Sequence, residues 1–179
     1  MTREQQEEYI AYRKEVYSEY PEVERFERRK KRVGTVLLGC TVVVYLFRMA
    51  VKGVVFEDTW SFASLYMGFF LQLMFISSAM RTRWKSAWLL YLLVFNQIIE
   101  YIQAFRQAQV GSWAELFALH RYGFSQYPLE TGVDILNYIY TFLVLLFALW
   151  LTLIPSNRRY AEQADELEQE IKAYFGGWR

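Results

Sequence analysis

Polar side chains recur along two otherwise apolar segments, and their types are those that could do chemistry. Asn96, Glu100 and Gln103 are spaced by four and three residues, so they share one face of a helix. Asp134 and Asn137 lie three residues apart in a later segment and also share a face. Carboxylates and amides held at membrane depth could coordinate a cation, relay protons or line an aqueous cavity.

Two basic side chains near the end of a third apolar segment complement these acids. At about 1.5 Å per residue, Arg48 and Glu100 both lie about 21–23 Å from the basic ends of their segments, and Lys52 and Asp134 about 28–30 Å. An unpaired charge at the centre of a bilayer costs at least about 2–3 kcal/mol. We therefore predict the ion pairs Arg48–Glu100 and Lys52–Asp134. These groups either line an outward-opening cavity or only lock the helices together.

The elements that must position these groups are four long apolar runs. A membrane-spanning helix needs roughly 20 mostly apolar residues. The runs cover about 33–55, 60–80, 86–105 and 131–154. We predict an all-α polytopic membrane protein in which residues 33–154 form a transmembrane four-helix bundle. In a soluble fold, four such runs among 179 residues would leave too little polar surface to cover them.

Most basic residues near the ends of these runs lie on one side, and the opposite side has only Arg48, Lys52, Arg106 and Arg121. The residues of the basic side precede the first run, separate the second from the third, and follow the fourth: Arg25, Arg28, Arg29, Lys30, Lys31 and Arg32; Arg81, Arg83 and Lys85; and Arg158 and Arg159. Loops rich in lysine and arginine remain cytoplasmic. We therefore expect both termini in the cytoplasm, and the short loops and strong charge bias favour a bacterial inner membrane.

The two terminal segments are predicted to be amphipathic cytoplasmic helices, in residues 1–32 and 155–179. The second has an apolar seam at helical spacing, made of Tyr160, Leu167, Ile171 and Tyr174. A seam of two heptads is too short to be stable alone in water. We predict that it contacts either the N-terminal helix of the same chain or a partner subunit.

The long outer connection, from about 106 to 130, is predicted to contain a short helix. Ser112 and Glu115 have the spacing of a capping box, and Gly123 is placed to end the helix. Trp113 and Phe117 would share an apolar face. Such a helix either lies in the membrane interface as a shield or dips inward as a lid.

The sequence lacks the residues and motifs that several classes of functional site require. His120 is the only histidine and Cys40 the only cysteine, so a bis-histidine haem and zinc sites built on histidine pairs are excluded. Phosphate-binding glycine loops and the Gly-x-Ser-x-Gly elbow do not occur. We expect neither enzymatic activity nor a cofactor or bound metal. The net charge of +1 gives no support for a nucleic-acid partner.

Two functions fit this pattern. In the first, copies of the chain form a homo-oligomeric channel or transport pathway with a polar cavity in the outer half of the membrane. In the second, the chain is a non-catalytic accessory or scaffold subunit of a larger membrane complex, and its charged pairs are structural. The continuous polar stripe favours the first function. The apolar cytoplasmic half of the bundle requires that any pore be closed or hydrophobic at its inner end.

Overall fold

The computed structural model describes residues 3–52, 59–81 and 87–176, apart from the side chains of residues 52, 59–66, 81, 104 and 107. The described residues form seven α-helices and no strand. The helices are α1 (Arg3–Ser18), α2 (Pro21–Lys52), α3 (Thr59–Arg81), α4 (Trp88–Gln107), α5 (Trp113–Gln126), α6 (Pro128–Thr152) and α7 (Pro155–Phe175). The all-helical prediction is confirmed.

Helices α2, α3, α4 and α6 form a four-helix bundle in which each packs on two of the others, in the cyclic order α2, α3, α4, α6. Each contains most of one of the predicted apolar runs, of which residues 53–55 and 86 lie outside the described residues. Within the described residues, the stretch Pro21–Val51 of α2 and the whole of α6 are long and apolar enough to cross a membrane. Met67–Met80 is a shorter apolar stretch in α3. The structure therefore supports two candidate spans and does not confirm four.

Helix α2 joins the basic N-terminal segment to the first apolar run without interruption. Pro21 is the first residue of α2, where a backbone N–H would have no acceptor within the helix. The negative charges of Glu22 and Glu24 stabilise the positive N-terminal end of the helix dipole. The predicted boundary between residues 32 and 33 thus falls inside one helix of 32 residues. Because α2 is continuous, one helix joins the charged N-terminal segment to the bundle.

A glycine allows α2 and α3 to approach each other closely. A Cβ atom on Gly34 would overlap the Met80 side chain, whereas one on Gly39 would meet nothing within 4 Å. Gly34→Val should lower the free energy of unfolding by about 1–3 kcal/mol, because α2 and α3 must separate or Met80 must repack. Denaturation in detergent micelles measures the loss. Gly39→Val is the control, and equal losses for both variants would contradict the close-packing explanation.

Helices α1 and α7 and the first part of α2 enclose a second, smaller core, which we call the terminal-helix unit. Its buried residues are Tyr17, Val23, Ala164, Leu167, Ile171 and Phe175. Arg13 forms an ion pair with Glu168 across α1 and α7. Burial, and then the negative charge of Glu168, raise the pKa of Tyr17. The seam of α7 is therefore covered from within the chain, which is one of the two predicted alternatives.

The predicted helix in the outer connection is present as α5. Ser112 caps it by accepting a hydrogen bond from the Glu115 N–H at 3.3 Å, while the Glu115 carboxylate accepts one from the Gly111 N–H at 2.6 Å. The helix passes through Gly123 and ends before Pro128, so the predicted stop at the glycine is wrong. None of its residues is buried, although α5 packs on α6.

Candidate functional site

A hydrogen-bonded network of polar side chains joins α4 to α6. Asn137 Nδ2 and the Tyr101 hydroxyl both donate to Gln97 Oε1, each at 3.3 Å. The Tyr101 hydroxyl also lies 2.9 Å from Thr141 Oγ1. Gln97 is buried in the interface. The Asn137–Gln97 and Tyr101–Thr141 contacts cross from one helix to the other, so they favour one register of α4 against α6.

Glu100 connects this buried network to the surface. Its carboxylate accepts hydrogen bonds from Asn96 Nδ2 at 2.9 Å and Gln97 Nε2 at 3.5 Å. Asn96, Glu100 and Gln103 are all exposed. The predicted stripe thus lies beside the packed face of α4. The buried Gln97 side chain connects the Glu100 carboxylate of the stripe to the network in the interface.

Arg48 and Glu100 come to the same end of the bundle. Both lie close enough to the hydroxyls of Tyr45 and Tyr101 to interact with them electrostatically. No ion pair among the described side chains joins them directly, so the Arg48–Glu100 pair stays a prediction.

The second predicted ion pair cannot be assigned, because the Lys52 side chain lies outside the described residues. Its predicted partner, Asp134, is half-buried on α6 and lies close enough to Tyr138 for an electrostatic interaction. The Lys52–Asp134 pair therefore also stays a prediction.

Further polar pairs lie in the interior on the other side of the bundle. Gln72 Nε2 donates to the Tyr45 hydroxyl at 2.9 Å, between α3 and α2. Thr41 Oγ1 and the Tyr140 hydroxyl lie 2.7 Å apart, between α2 and α6. Thr41, Gln72 and Gln97 are thus buried polar side chains within an otherwise apolar core.

The Tyr45–Gln72 contact should stabilise the bundle measurably. Tyr45→Phe should cost about 1–2 kcal/mol of unfolding free energy, because it leaves the buried Gln72 amide without its acceptor. Adding Gln72→Leu should recover most of that loss, since both polar groups are then gone. Equilibrium unfolding of the two single variants and the double variant in micelles tests this. A double variant less stable than both single variants would contradict it.

The half of the bundle nearer the terminal-helix unit has an apolar, closely packed core. Ile76, Leu90 and Val144 have no exposed surface and meet in one core cluster. Among the described residues, no polar path continues from Gln72 or Gln97 toward the terminal-helix unit through this cluster.

The four predicted contact residues of α7 have different surroundings. Leu167 and Ile171 are buried in the terminal-helix unit. The Tyr160 hydroxyl donates to Glu22 at 3.1 Å. Tyr174 stacks on Tyr12, with ring centroids 4.5 Å apart, and remains 62% exposed. In this chain α7 thus presents Tyr174, rather than the aliphatic seam, to any partner.

His120 is a packing residue in this structure. Its Nδ1 lies 2.8 Å from the Leu116 carbonyl oxygen, and its ring meets Tyr138 edge-on at 5.6 Å. The described residues contain no group of three His, Cys, Asp or Glu side chains that could hold a metal ion.

Sequence reasoning missed Gln97 and Tyr101, the centre of the network. The signal was present, because Leu90, Val94, Gln97 and Tyr101 follow each other at four, three and four residues and so define the packed face of α4. The predicted site was placed on the neighbouring face, which carries the polar stripe.

Comparisons with known protein families, with curated proteins and with solved structures found no match.

Proposed function

We propose that the chain is a four-span membrane protein whose bundle α2, α3, α4 and α6 crosses the bilayer. The outward surfaces support this, because they carry large apolar side chains on every one of these helices. Examples are Val36, Val43, Phe70, Met74, Leu92, Phe95, Ile139 and Phe142. Only 28% of the apolar window of α2 and 33% of that of α6 is buried. The core helix of a soluble protein would be mostly buried, so lipid is the better environment for these faces.

The terminal-helix unit lies in the cytoplasm in this proposal. It holds the charged ends of the chain, and the basic residues preceding the apolar part of α2 flank the bundle on the same side as Arg158 and Arg159. This distribution follows the positive-inside rule. The polar network of Gln97 and Glu100 then lies in the outer half of the membrane, because α4 runs outward from Trp88.

Several copies of the chain form a channel or transport pathway, and α4 contributes its polar stripe to it. The observation that carries this proposal is the exposed, hydrogen-bonded carboxylate of Glu100, in a polar stripe on a helix that also exposes large apolar side chains. A carboxylate facing lipid is costly, so it must meet water or another subunit. Copies arranged with α4 inward would produce a ring of carboxylates, a common means of attracting cations.

Flux through proteoliposomes tests the pathway. Glu100→Gln should reduce cation flux about tenfold or more, because the ring of negative charge that concentrates cations is lost. Glu130→Gln is the matched control, since Glu130 is an exposed carboxylate in the first turn of α6, away from the stripe. Wild-type flux that neither variant changes would contradict a pathway along α4.

An accessory subunit is the second candidate, and two observations favour it. The inner half of the bundle is closed by Ile76, Leu90 and Val144, and the α7 seam is covered within the chain. The mass of the purified protein in nanodiscs separates the candidates. A discrete homo-oligomer supports the channel, whereas a monomer without flux supports an accessory subunit that docks on other membrane proteins.

A further inference from the structure

A narrow apolar groove runs between α2 and α6 on the outside of the bundle. Its volume is about 450 Å³. Val36 and Cys40 of α2 line one wall, and Leu143 and Trp150 of α6 line the other. Arg32 contributes the one charged side chain of the lining, at one end of the groove. The two helices that form it are the two candidate spans.

The groove has the length and direction of a lipid acyl chain. It extends along α2 from Arg32 to Cys40, which is about 12 Å at the helical rise. One leaflet of the hydrocarbon core is about 15 Å thick, half of the full core. Because α2 and α6 run in opposite directions, Trp150 lies near the Arg32 end, and Trp and Arg are typical of the headgroup level.

The charge at the mouth of the groove suits an anionic headgroup. Arg32 is exposed, and none of the described acidic side chains forms an ion pair with it. A guanidinium binds a phosphate through two parallel hydrogen bonds, and basic residues at the cytoplasmic surface attract anionic lipids.

We propose that this groove binds one acyl chain of an anionic phospholipid of the cytoplasmic leaflet, with the lipid phosphate at Arg32. The inference rests on the membrane insertion in the proposed function, but not on the channel. The bound lipid would fill the space between α2 and α6 beside the closed inner core. It would also attach the terminal-helix unit, through α2, to the membrane surface.

Photocrosslinking in vesicles tests the site. The full chain is reconstituted in phosphatidylcholine with a trace of phosphatidylglycerol that carries a diazirine on its acyl chain. A second sample carries the same acyl chain on phosphatidylcholine. Adducts should concentrate on residues 33–40 and 143–150, and the anionic lipid should give about five times more of them, the effect of one basic residue.

Matched variants separate the headgroup contact from the acyl groove. Arg32→Gln should abolish the preference for phosphatidylglycerol, while Lys31→Gln, the same charge change on a neighbouring exposed residue outside the groove, should preserve it. Val36→Trp should fill the groove and remove its adducts with both lipids. Val42→Trp, at an exposed valine of α2 outside the groove, should leave them unchanged.

Vesicle flotation of the same samples keeps the two proposals distinguishable. A chain that floats with the vesicles but shows adducts spread evenly over the bundle surface overturns the lipid site alone. A lipid preference that Arg32→Gln leaves intact also overturns the site as stated. A chain that does not float contradicts membrane insertion itself, and with it both proposals.

Discussion

Replacing Ile171 with alanine is expected to lower the stability of the terminal-helix unit by about 2–5 kcal/mol. Ile171 has no exposed surface and lies in the small core between α1, α2 and α7. In water, the substitution loses both the burial of the removed carbons and the packing around the resulting cavity. Helix α7 should then detach from α1, which amide hydrogen exchange of α7 measures directly.

Ile76 is a matched control for this change. It is an isoleucine without exposed surface as well, but it lies in the core of the bundle on α3. Lipid chains are as apolar as the side chains they would replace, so inside a membrane mainly the packing loss remains. Ile76→Ala should therefore cost about 2 kcal/mol less than Ile171→Ala, about 0.8 kcal/mol for each removed carbon. Equal costs would place both cores in water and contradict the membrane proposal.

The helices could be predicted from the sequence because their signals are local. The apolar runs are continuous in sequence, and the Ser112 cap acts within a few residues. The continuity of α2 could not be predicted in the same way. Its charged first part also packs on α1 and α7, and these tertiary contacts cannot be read from local sequence.

The candidate site could be predicted only in part, for a related reason. Helical spacing showed that Asn96, Glu100 and Gln103 share a face, but it could not show which neighbouring helix lies beside that face. The contacts that decide this run from Gln97 to Asn137 and from Tyr101 to Thr141, each across 40 residues of sequence. Spacing within one helix therefore identifies the polar stripe. Packing against α6 determines that Gln97 and Tyr101, next to the stripe, form the buried hydrogen bonds.

Replacing Lys30 with methionine is expected to cost about 3–5 kcal/mol, because it leaves a buried carboxylate without its counter-ion. Lys30 forms an ion pair with Glu27 one turn earlier on α2, and the side chains are only 8% and 12% exposed. No hydrogen bond from another described residue reaches Glu27 Oε1, the oxygen that the Lys30 ammonium contacts. Equilibrium unfolding in micelles measures the loss.

A double variant and an exposed ion pair are the controls for the Lys30→Met prediction. Glu27→Gln combined with Lys30→Met should return to wild-type stability or exceed it by about 1–4 kcal/mol, since no charge remains to be desolvated. Arg28 and Glu24 form a comparable ion pair on the same helix, but Arg28 is 67% exposed, so Arg28→Met should cost less than about 1 kcal/mol. If Lys30→Met cost no more than Arg28→Met, water would reach the Glu27 carboxylate.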